Sequence, residues 1–521
     1  MSDRSIPRSY RMMQGFGVNT FTLINAESKR VFVKFHWLPE LGVHSLVWDE
    51  ALKIAGQDPD FHRKDLEEAI NNGAYPEWTL GVQIIEEVDE HKFEFDILDD
   101  TKIWPEDLVP LKKVGKLVLN RTVDEFFPET EQVAFCTSHV VPGIGFSDDP
   151  VLQGRNFSYF DTQTSRLGIN WQELPINRPV CPVFNFNKDG RMKHRINASK
   201  VNYHPNRFEE IQPVPKEMGG YAFHRDRING IKERTRGPKF QEHFNQAQLF
   251  WNSMSGHEKQ HIVNAFSFEL THCDDPVVYQ RMCERLRDVD FELARQVALN
   301  VGGPEPKGVR PNHGKVAKGL SQMEYIPETP LIKGRRIAIL VADGFNSTEV
   351  NEIRAALKAG MATTWLIGLR RGTVYGAGET VKSSSGMSTD HSFESMRSTM
   401  FDAIIIPSGH SHIAAISKVG RVVHWVREAF GHLKPIAAVG EGIAFLRDVV
   451  QLPGISYAVE GSNESVVDSY GVVTTNKLSL TRETFRLAKG DTTFIGKFGL
   501  TVSMHRNFQR ELDGLVARVP F

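Results

Sequence analysis

A stretch rich in Gly and Pro over residues 303–333 separates two parts of the chain that follow different local patterns; it contains Gly303-Pro304-Glu305-Pro306 and Pro327-Glu328-Thr329-Pro330. Proline removes a backbone donor and glycine weakens both kinds of regular element, so this stretch reads as an interdomain linker. Beyond it, short apolar runs alternate with helical patterns. A buried-type strand is predicted over 336–342, a helix capped by Ser347 over 347–359, and strands over 364–369, 401–407 and 434–439, the last running into a helix. Parallel neighbours need long crossovers and helices supply them, so residues 334–521 are predicted to form a doubly wound parallel sheet.

Before the linker the pattern is antiparallel. Residues 30–37 alternate, with Val31, Val33, Phe35 and Trp37 on one face and Lys34 and His36 on the other. Residues 78–85, 93–98 and 116–120 read the same way, and an insert over 49–72 reads as helical. Several long strands around a helical insert imply a barrel or a large curved sheet. From 122 to 238 the chain is rich in Pro, Asn and Gly, with one helical stretch near 152–166. Long irregular segments inside folded proteins usually carry function. Residues 239–301 turn helical, with Ser255 and Glu258 placed as a capping box.

Composition narrows the function. Lys and Arg number 62 against 64 Asp and Glu, a net charge of −2, which removes the electrostatic basis for non-specific binding to nucleic acid or to anionic membranes. The longest apolar runs, such as 337–342, are too short to span a bilayer. Four cysteines, at 136, 181, 273 and 283, form no CxxC pair, which argues against a disulfide framework or a cysteine zinc site. No signal segment precedes residue 10, so the expected location is cytoplasmic, with secretion open if a signal lies upstream of this chain.

Three motifs invite chemistry. His257-Glu258-Lys259-Gln260-His261 matches the HExxH zinc pattern, but it sits at a helix start without a third ligand in view, and a solvated first turn is the preferred reading. Gly440-Glu441-Gly442 follows a buried strand, where such folds place a nucleophile elbow, and the elbow residue reads as Glu441. The domain there is similar to the class I amidotransferase and PfpI peptidase-like group, whose elbow carries a cysteine absent from this chain. Asp343-Gly344-Phe345-Asn346 lacks a glycine-rich phosphate fingerprint. Finally, on a helix Arg155, Tyr159 and Arg166 fall within about 40° of one another. A guanidinium one turn from a phenol favours its ionised form, a hard anionic ligand suited to ferric iron, and a second guanidinium could meet a carboxylate. The alternative is a plain amphipathic face.

At this segment, Arg155-x-Phe-Ser-Tyr-x-Asp-Thr-Gln-x-x-Arg-Leu-Gly168, the chain resembles the proximal signature of monofunctional haem catalases. Ser2-Asp3-Arg4, Gly15-Phe16-Gly17, the 114–121 run and Pro175-Ile176-Asn177-Arg178-Pro179 extend the resemblance, and the domain after the linker is the mark of the large-subunit, fungal-type branch. The resemblance implies an α+β chain. It would comprise an incomplete antiparallel β-barrel over 1–121, a wrapping segment with the proximal haem helix over 122–238, a helical domain over 239–302, the linker over 303–333 and a flavodoxin-like domain over 334–521. It implies disproportionation of hydrogen peroxide to water and dioxygen, haem of b or d type, Tyr159 as axial iron ligand, Arg155 holding it ionised, Arg166 on a propionate, and Phe135, Thr162 and Gln163 along the proximal face. The tyrosine ligation is the general one for catalases. Family members carry a distal histidine and asparagine in a portion before the Ser-Asp-Arg motif at which this chain begins. Impaired turnover is therefore expected of this chain as it stands, with a homotetramer if the N-terminal arm is restored; the alternative is a non-enzymatic haem-binding or interaction protein. Asn19 stands where many members have a histidine linking the Arg155 position to an aspartate, here Asp149. Cys136 is placed for a thioether to Tyr159, with a plain buried thiol as the alternative reading. Leu38 and Glu106 replace basic residues that hold NADPH in small-subunit members, so NADPH is not expected to bind.

Overall fold

The computed structural model describes residues 1–181, 188–208, 212–221, 224–226, 230–231, 233–308, 310–382, 386–460, 465–478 and 491–521. Parts of the irregular 122–238 segment thus lie outside the described residues. The N-terminal sheet contains β1 (Gly15–Phe16), β2 (Phe21–Ile24), β3 (Arg30–Pro39), β4 (Glu77–Glu86), β5 (Lys112–Val118) and β6 (Ile144–Phe146). It is antiparallel in the order β5-β4-β3-β2-β6, with β1 on β3. The β3–β4 ladder runs from Val31 opposite Glu86 to Pro39 opposite Trp78. β5 and β6 are edges, so among the described residues this sheet does not close on itself.

Between β3 and β4 the chain inserts α1 (Trp48–Gln57) and α2 (Phe61–Asn71). After β6 comes α3 (Pro150–Leu167), then a bundle of α4 (Asn245–Ser253), α5 (Gly256–Leu270), α6 (Pro276–Arg287) and α7 (Phe291–Val301). The capping box at α5 forms as read: Ser255 N donates to Glu258 Oε2 at 2.8 Å. His257 is not solvated, however. It is 5% exposed and stacks on Phe508 with ring centroids 3.8 Å apart, a cover supplied from far along the chain.

Two further expectations fail for related reasons. Residues 93–98 form no strand, because their backbone acceptors are taken by side chains: Lys239 Nζ reaches Phe93 O, and Thr20 Oγ1 donates to Ile97 O at 2.7 Å. Phe95 and Ile97 instead build a small core with Phe32, Trp104 and Val109. Lys34 is buried on the face read as polar. Its Nζ donates to Lys102 O at 2.9 Å and lies over the Trp104 ring, and burial lowers its pKa to about 8.

The C-terminal domain contains β7 (Arg336–Val341), α8 (Ser347–Ala359), β8 (Thr363–Gly368), β9 (Gly372–Val374), β10 (Met387–Thr389), β11 (His391–Ser392), β12 (Ala403–Ile406), α9 (His410–Ile416), α10 (Gly420–Gly431), β13 (Ile436–Val439), α11 (Glu441–Ala444), β14 (Val466–Ser469), β15 (Val472–Thr475), α12 (Phe494–Ser503) and α13 (Gln509–Leu512). The main sheet, β11-β8-β7-β12-β13-β15-β14, is parallel except for β14. Every residue of β7, β12 and β13 is buried, with one apolar cluster on each side of the sheet, as a doubly covered sheet requires. α8 is capped by Asn346, whose side chain accepts from Glu349 N at 3.2 Å, rather than by Ser347. No helix among the described residues is long and apolar enough to cross a membrane.

The two parts meet along a seam. Residues of α1, α2 and the first dozen positions pack on the amino ends of the parallel strands. Arg8 Nε lies 2.8 Å from Asp402 Oδ1, Lys434 Nζ 2.7 Å from Glu50 Oε1, and Arg506 Nη2 2.6 Å from Glu50 Oε2.

Candidate functional site

Helix α3 begins where Asp149 caps it and Pro150 fills the first turn, a position at which a missing N–H costs nothing. Asp149 Oδ1 accepts from Val151 N and Leu152 N, each at 2.9 Å, and its Oδ2 accepts from Thr20 N at 3.1 Å and from Asn19 Nδ2 at 3.2 Å. Asn19 Oδ1 in turn accepts from Arg155 Nη1 at 2.6 Å. A carboxylate only accepts and a guanidinium only donates, so the two neighbours dictate which way the Asn19 amide faces. Asp149 and Asn19 are buried, at 0% and 7% exposure, so the cap, the amide and Arg155 form one supported unit. The bridge between Arg155 and Asp149 therefore persists with asparagine in it, but an amide neither gains nor loses a proton near neutral pH.

Tyr159 lies one turn beyond Arg155 on the same helix, half-buried, and its Oη makes no hydrogen bond among the described residues. Thr162 is exposed and Phe135 is 78% exposed, so the stripe borders open surface. Gln163 is buried and turns to the neighbouring segment, with Nε2 donating to Phe135 O at 3.1 Å.

Arg166 makes contacts that the sequence does not foretell. It donates from Nη1 to Glu131 O at 2.7 Å, from Nη2 to Val133 O at 2.6 Å, and from Nε and Nη2 to Gln163 Oε1 at 3.1 and 2.8 Å. Two of its five N–H groups hold the 131–135 segment against α3, two bond Gln163 on the same helix, and one is left for a carboxylate. Cys136, which follows that segment, has its Sγ 3.0 Å from Ser138 Oγ.

Two asparagines that received no role in the sequence support the same segment. Asn177 donates to Gln132 O and Trp171 O at 2.8 and 2.9 Å and accepts from Ala134 N at 2.8 Å; Asn156 accepts from Thr137 Oγ1 at 2.8 Å. Asn177 belongs to the Pro-Ile-Asn-Arg-Pro motif, a signal that marks importance without saying for what.

The other motifs resolve differently. His261 is bracketed by Asp3 Oδ2 and Glu511 Oε2, each 2.7 Å from a ring nitrogen, and Glu258 is committed to the α5 cap and to Ser321, so the HExxH residues serve packing. In the C-terminal domain the strained elbow conformation, φ 53° and ψ −122°, belongs to Gly440 and not to Glu441. A Cβ there would approach Ser408 Cβ to 2.9 Å, so the bend depends on glycine. The backbone N–H groups of Ser408 and Gly409 donate to Glu349 Oε1 at 2.8 Å and to Glu441 Oε2 at 3.0 Å. Burial keeps the Glu349 carboxyl above its usual range despite those bonds.

Comparison with known proteins divides the chain at the places where its structure changes. The family described as Catalase matches residues 1–210, Catalase-related immune-responsive matches 237–301, and the DJ-1/PfpI family matches 335–479. Catalase-1 of Neurospora crassa is 58% identical over 100% of this chain and 70% of its own length, and Catalase A of Aspergillus fumigatus is 56% identical over the same shares. Catalase HPII of Mycobacterium avium is 44% identical over 99% of this chain and 71% of its own. Identity above one half along the whole chain, across the sheet, the α3 helix, the bundle and the parallel-sheet domain alike, leaves a single conclusion: the chain belongs to the catalase family, in the branch that carries a flavodoxin-like C-terminal domain.

Proposed function

We propose that this chain binds haem on the open face of α3 and serves the disproportionation of hydrogen peroxide to water and dioxygen, with Tyr159 as the axial iron ligand. The observation that carries the reading is the Asp149–Asn19–Arg155 chain of contacts, which holds a guanidinium one helical turn from a phenol oxygen free of other partners. The residues suit the group: a phenolate is a hard anionic donor for ferric iron, and the exposed Phe135 ring offers apolar surface to a flat macrocycle. Haem, when bound, supplies the iron at which peroxide is reduced and oxidised. The chain's own part is positional. Asn19 and Asp149 fix Arg155 one helical turn from Tyr159, and Arg166 with Gln163 holds the 131–135 segment beside the helix, leaving one N–H for a propionate.

NADPH has no place in this reading. Glu106, whose carboxyl burial pushes up, lies against the linker at Gly319, and Arg4 donates to Gly319 O at 2.9 Å, so an acid stands where a basic partner for a 2′-phosphate would be needed. A haem-binding protein without turnover is the second reading, favoured by the exposure of the Tyr159 stripe on its outer side. The test is Tyr159→Phe in chain reconstituted with haemin: the Soret band is expected to shift and haem to dissociate, and Asn19→Ala to weaken haem retention by a smaller factor. An unchanged spectrum in Tyr159→Phe refutes the ligand assignment. Oxygen evolution by the short chain, compared with a version extended upstream, separates the enzyme from the haem binder.

A further inference from the structure

The β3–β4 ladder ends with Val31 opposite Glu86, so Arg30 and Glu87 flank its end, and Arg30 Nη2 donates to Glu87 Oε1 at 2.7 Å. The wrapping segment comes back to this spot 196 positions after Arg30 and adds Asp226, with His224 just before it. His224 Nε2 stands 3.5 Å from Glu87 Oε1 and 3.5 Å from Asp226 Oδ1, and one ligating atom of each residue lies within 4.8 Å of the other two. Among the described residues this is the only group of three His, Cys, Asp or Glu side chains close enough to share an ion.

The imidazole is oriented by a group outside the trio. Its Nδ1 lies 3.1 Å from Ser28 O, and a carbonyl oxygen only accepts, so Nδ1 carries the hydrogen. In the neutral ring the Nε2 lone pair then faces two carboxylate oxygens, and three electron-rich atoms converge. A protonated ring would donate at about 2.7–3.2 Å, shorter than the 3.5 Å found here. Tetrahedral zinc, with bonds of about 2.0–2.1 Å, sets its ligand atoms about 3.4 Å apart, which matches. A histidine that ligates metal through one nitrogen characteristically donates through the other, as His224 does to Ser28.

Arg30 grips the same two oxygens. Its Nη2 lies 2.7 Å from Asp226 Oδ1 as well as from Glu87 Oε1, and its Nη1 donates to Asp226 Oδ2 at 2.7 Å. A carboxylate oxygen has two lone pairs, so one that accepts a guanidinium hydrogen keeps another for a metal. Arg30 balances one of the two carboxylates. The neighbouring cations are engaged elsewhere, Lys29 with Glu86 at 2.9 Å and Lys216 with Ser28 Oγ at 2.5 Å.

We infer that Glu87, His224 and Asp226 bind a zinc ion, with water as fourth ligand and Arg30 steadying the two carboxylates. An imidazole in the set favours zinc over magnesium or calcium, which take oxygen ligands. Asp226 is exposed, so solvent reaches the ion. Glu87 follows β4 and the other two ligands belong to the wrapping segment, so the ion fastens that segment to the antiparallel sheet.

The experiment uses the full chain without an affinity tag, stripped with a chelator and titrated with zinc chloride. Calorimetry is expected to show one zinc per chain, and X-ray absorption at the zinc edge one imidazole among oxygen donors at about 2.0–2.1 Å. His224→Ala and Glu87→Gln are each expected to weaken binding at least about tenfold, since even outer partners of a ligand act on that scale. Tryptic cleavage after Arg225, exposed between the two wrapping-segment ligands, is expected to slow in zinc for the wild-type chain and to be unchanged by zinc in His224→Ala. Absence of zinc binding overturns the inference. So does binding that survives both substitutions, or an absorption spectrum with sulfur or with two imidazoles. If a variant does not fold, the wild-type stoichiometry and spectrum decide the matter.

Discussion

Strands β12 and β5 show how differently two sheets in one chain complete themselves. β12, Ala403–Ile406, lies between β7 and β13 with every residue buried and helices over both faces. β5, Lys112–Val118, pairs on one side only and exposes all seven residues, Val114 at 59%. The parallel sheet takes its cover from its own crossovers, so its architecture is complete within about two hundred residues of sequence. The antiparallel sheet ends in two edges, β5 and β6, and the helix carrying Tyr159 follows β6 and is tied by Asp149 and Arg155 to Asn19 and Thr20 ahead of β2. The candidate chemistry thus sits on the sheet that leaves edges open, and not on the one that its own crossovers cover.

This contrast can be broken experimentally. The largest effect is expected from Glu50→Ala, which leaves Lys434 and Arg506 buried without their carboxylate; a loss of about 3–5 kcal/mol should lower the urea midpoint sharply. Glu50 is held at about 2, since burial would raise it but Arg506 and Lys434 prevail. Its contribution is present above the ordinary carboxylate range and is lost as pH falls through about 2, so the variant should also lose part of the acid limb of the stability profile.

A smaller effect is expected at His261, which burial would lower but Asp3 and Glu511 lift to about 10. Its folded pKa lies above the unfolded value, so its contribution is complete below about 6.5 and is lost as pH rises through about 10. His261→Gln should therefore cost about 2–3 kcal/mol near pH 6 and flatten the alkaline limb, measured as thermal midpoint against pH. The smallest change is expected on the open sheet. Val114→Ala should shift stability by less than about 0.5 kcal/mol. A loss above about 1 kcal/mol would show that β5 is covered in solution and would dissolve the contrast.

The elements of the parallel sheet were legible because β-strands buried on both faces are apolar throughout, as in Ile337 to Val341, and because the helices between them keep their own period. The stripe of Arg155 and Tyr159 was legible for the same local reason, a regular helix seen end-on. What escaped was decided by distant partners. Lys34 reads as a solvent-facing residue until Trp104 and the carbonyl of Lys102 cover it, and His257 until Phe508 stacks on it. The apolar run at 93–98 has strand composition, but the Lys239 ammonium takes carbonyls that a neighbouring strand would need. The contacts of Arg166 with Glu131 and Val133 also escaped, since periodicity fixes a face and says nothing of which loop folds over it.

The contact between Glu50 and Arg506 joins residues 456 positions apart. At ordinary rates of translation, the ribosome needs on the order of a minute to deliver the second after the first. For that interval Glu50 and its neighbours on α1 wait in water, and the amino-terminal sheet must persist, or be guarded by a chaperone, without the body it will finally rest on. A contact between residues this far apart closes late, so a ribosome that stops short of Arg506 releases a chain in which Glu50 lacks this partner.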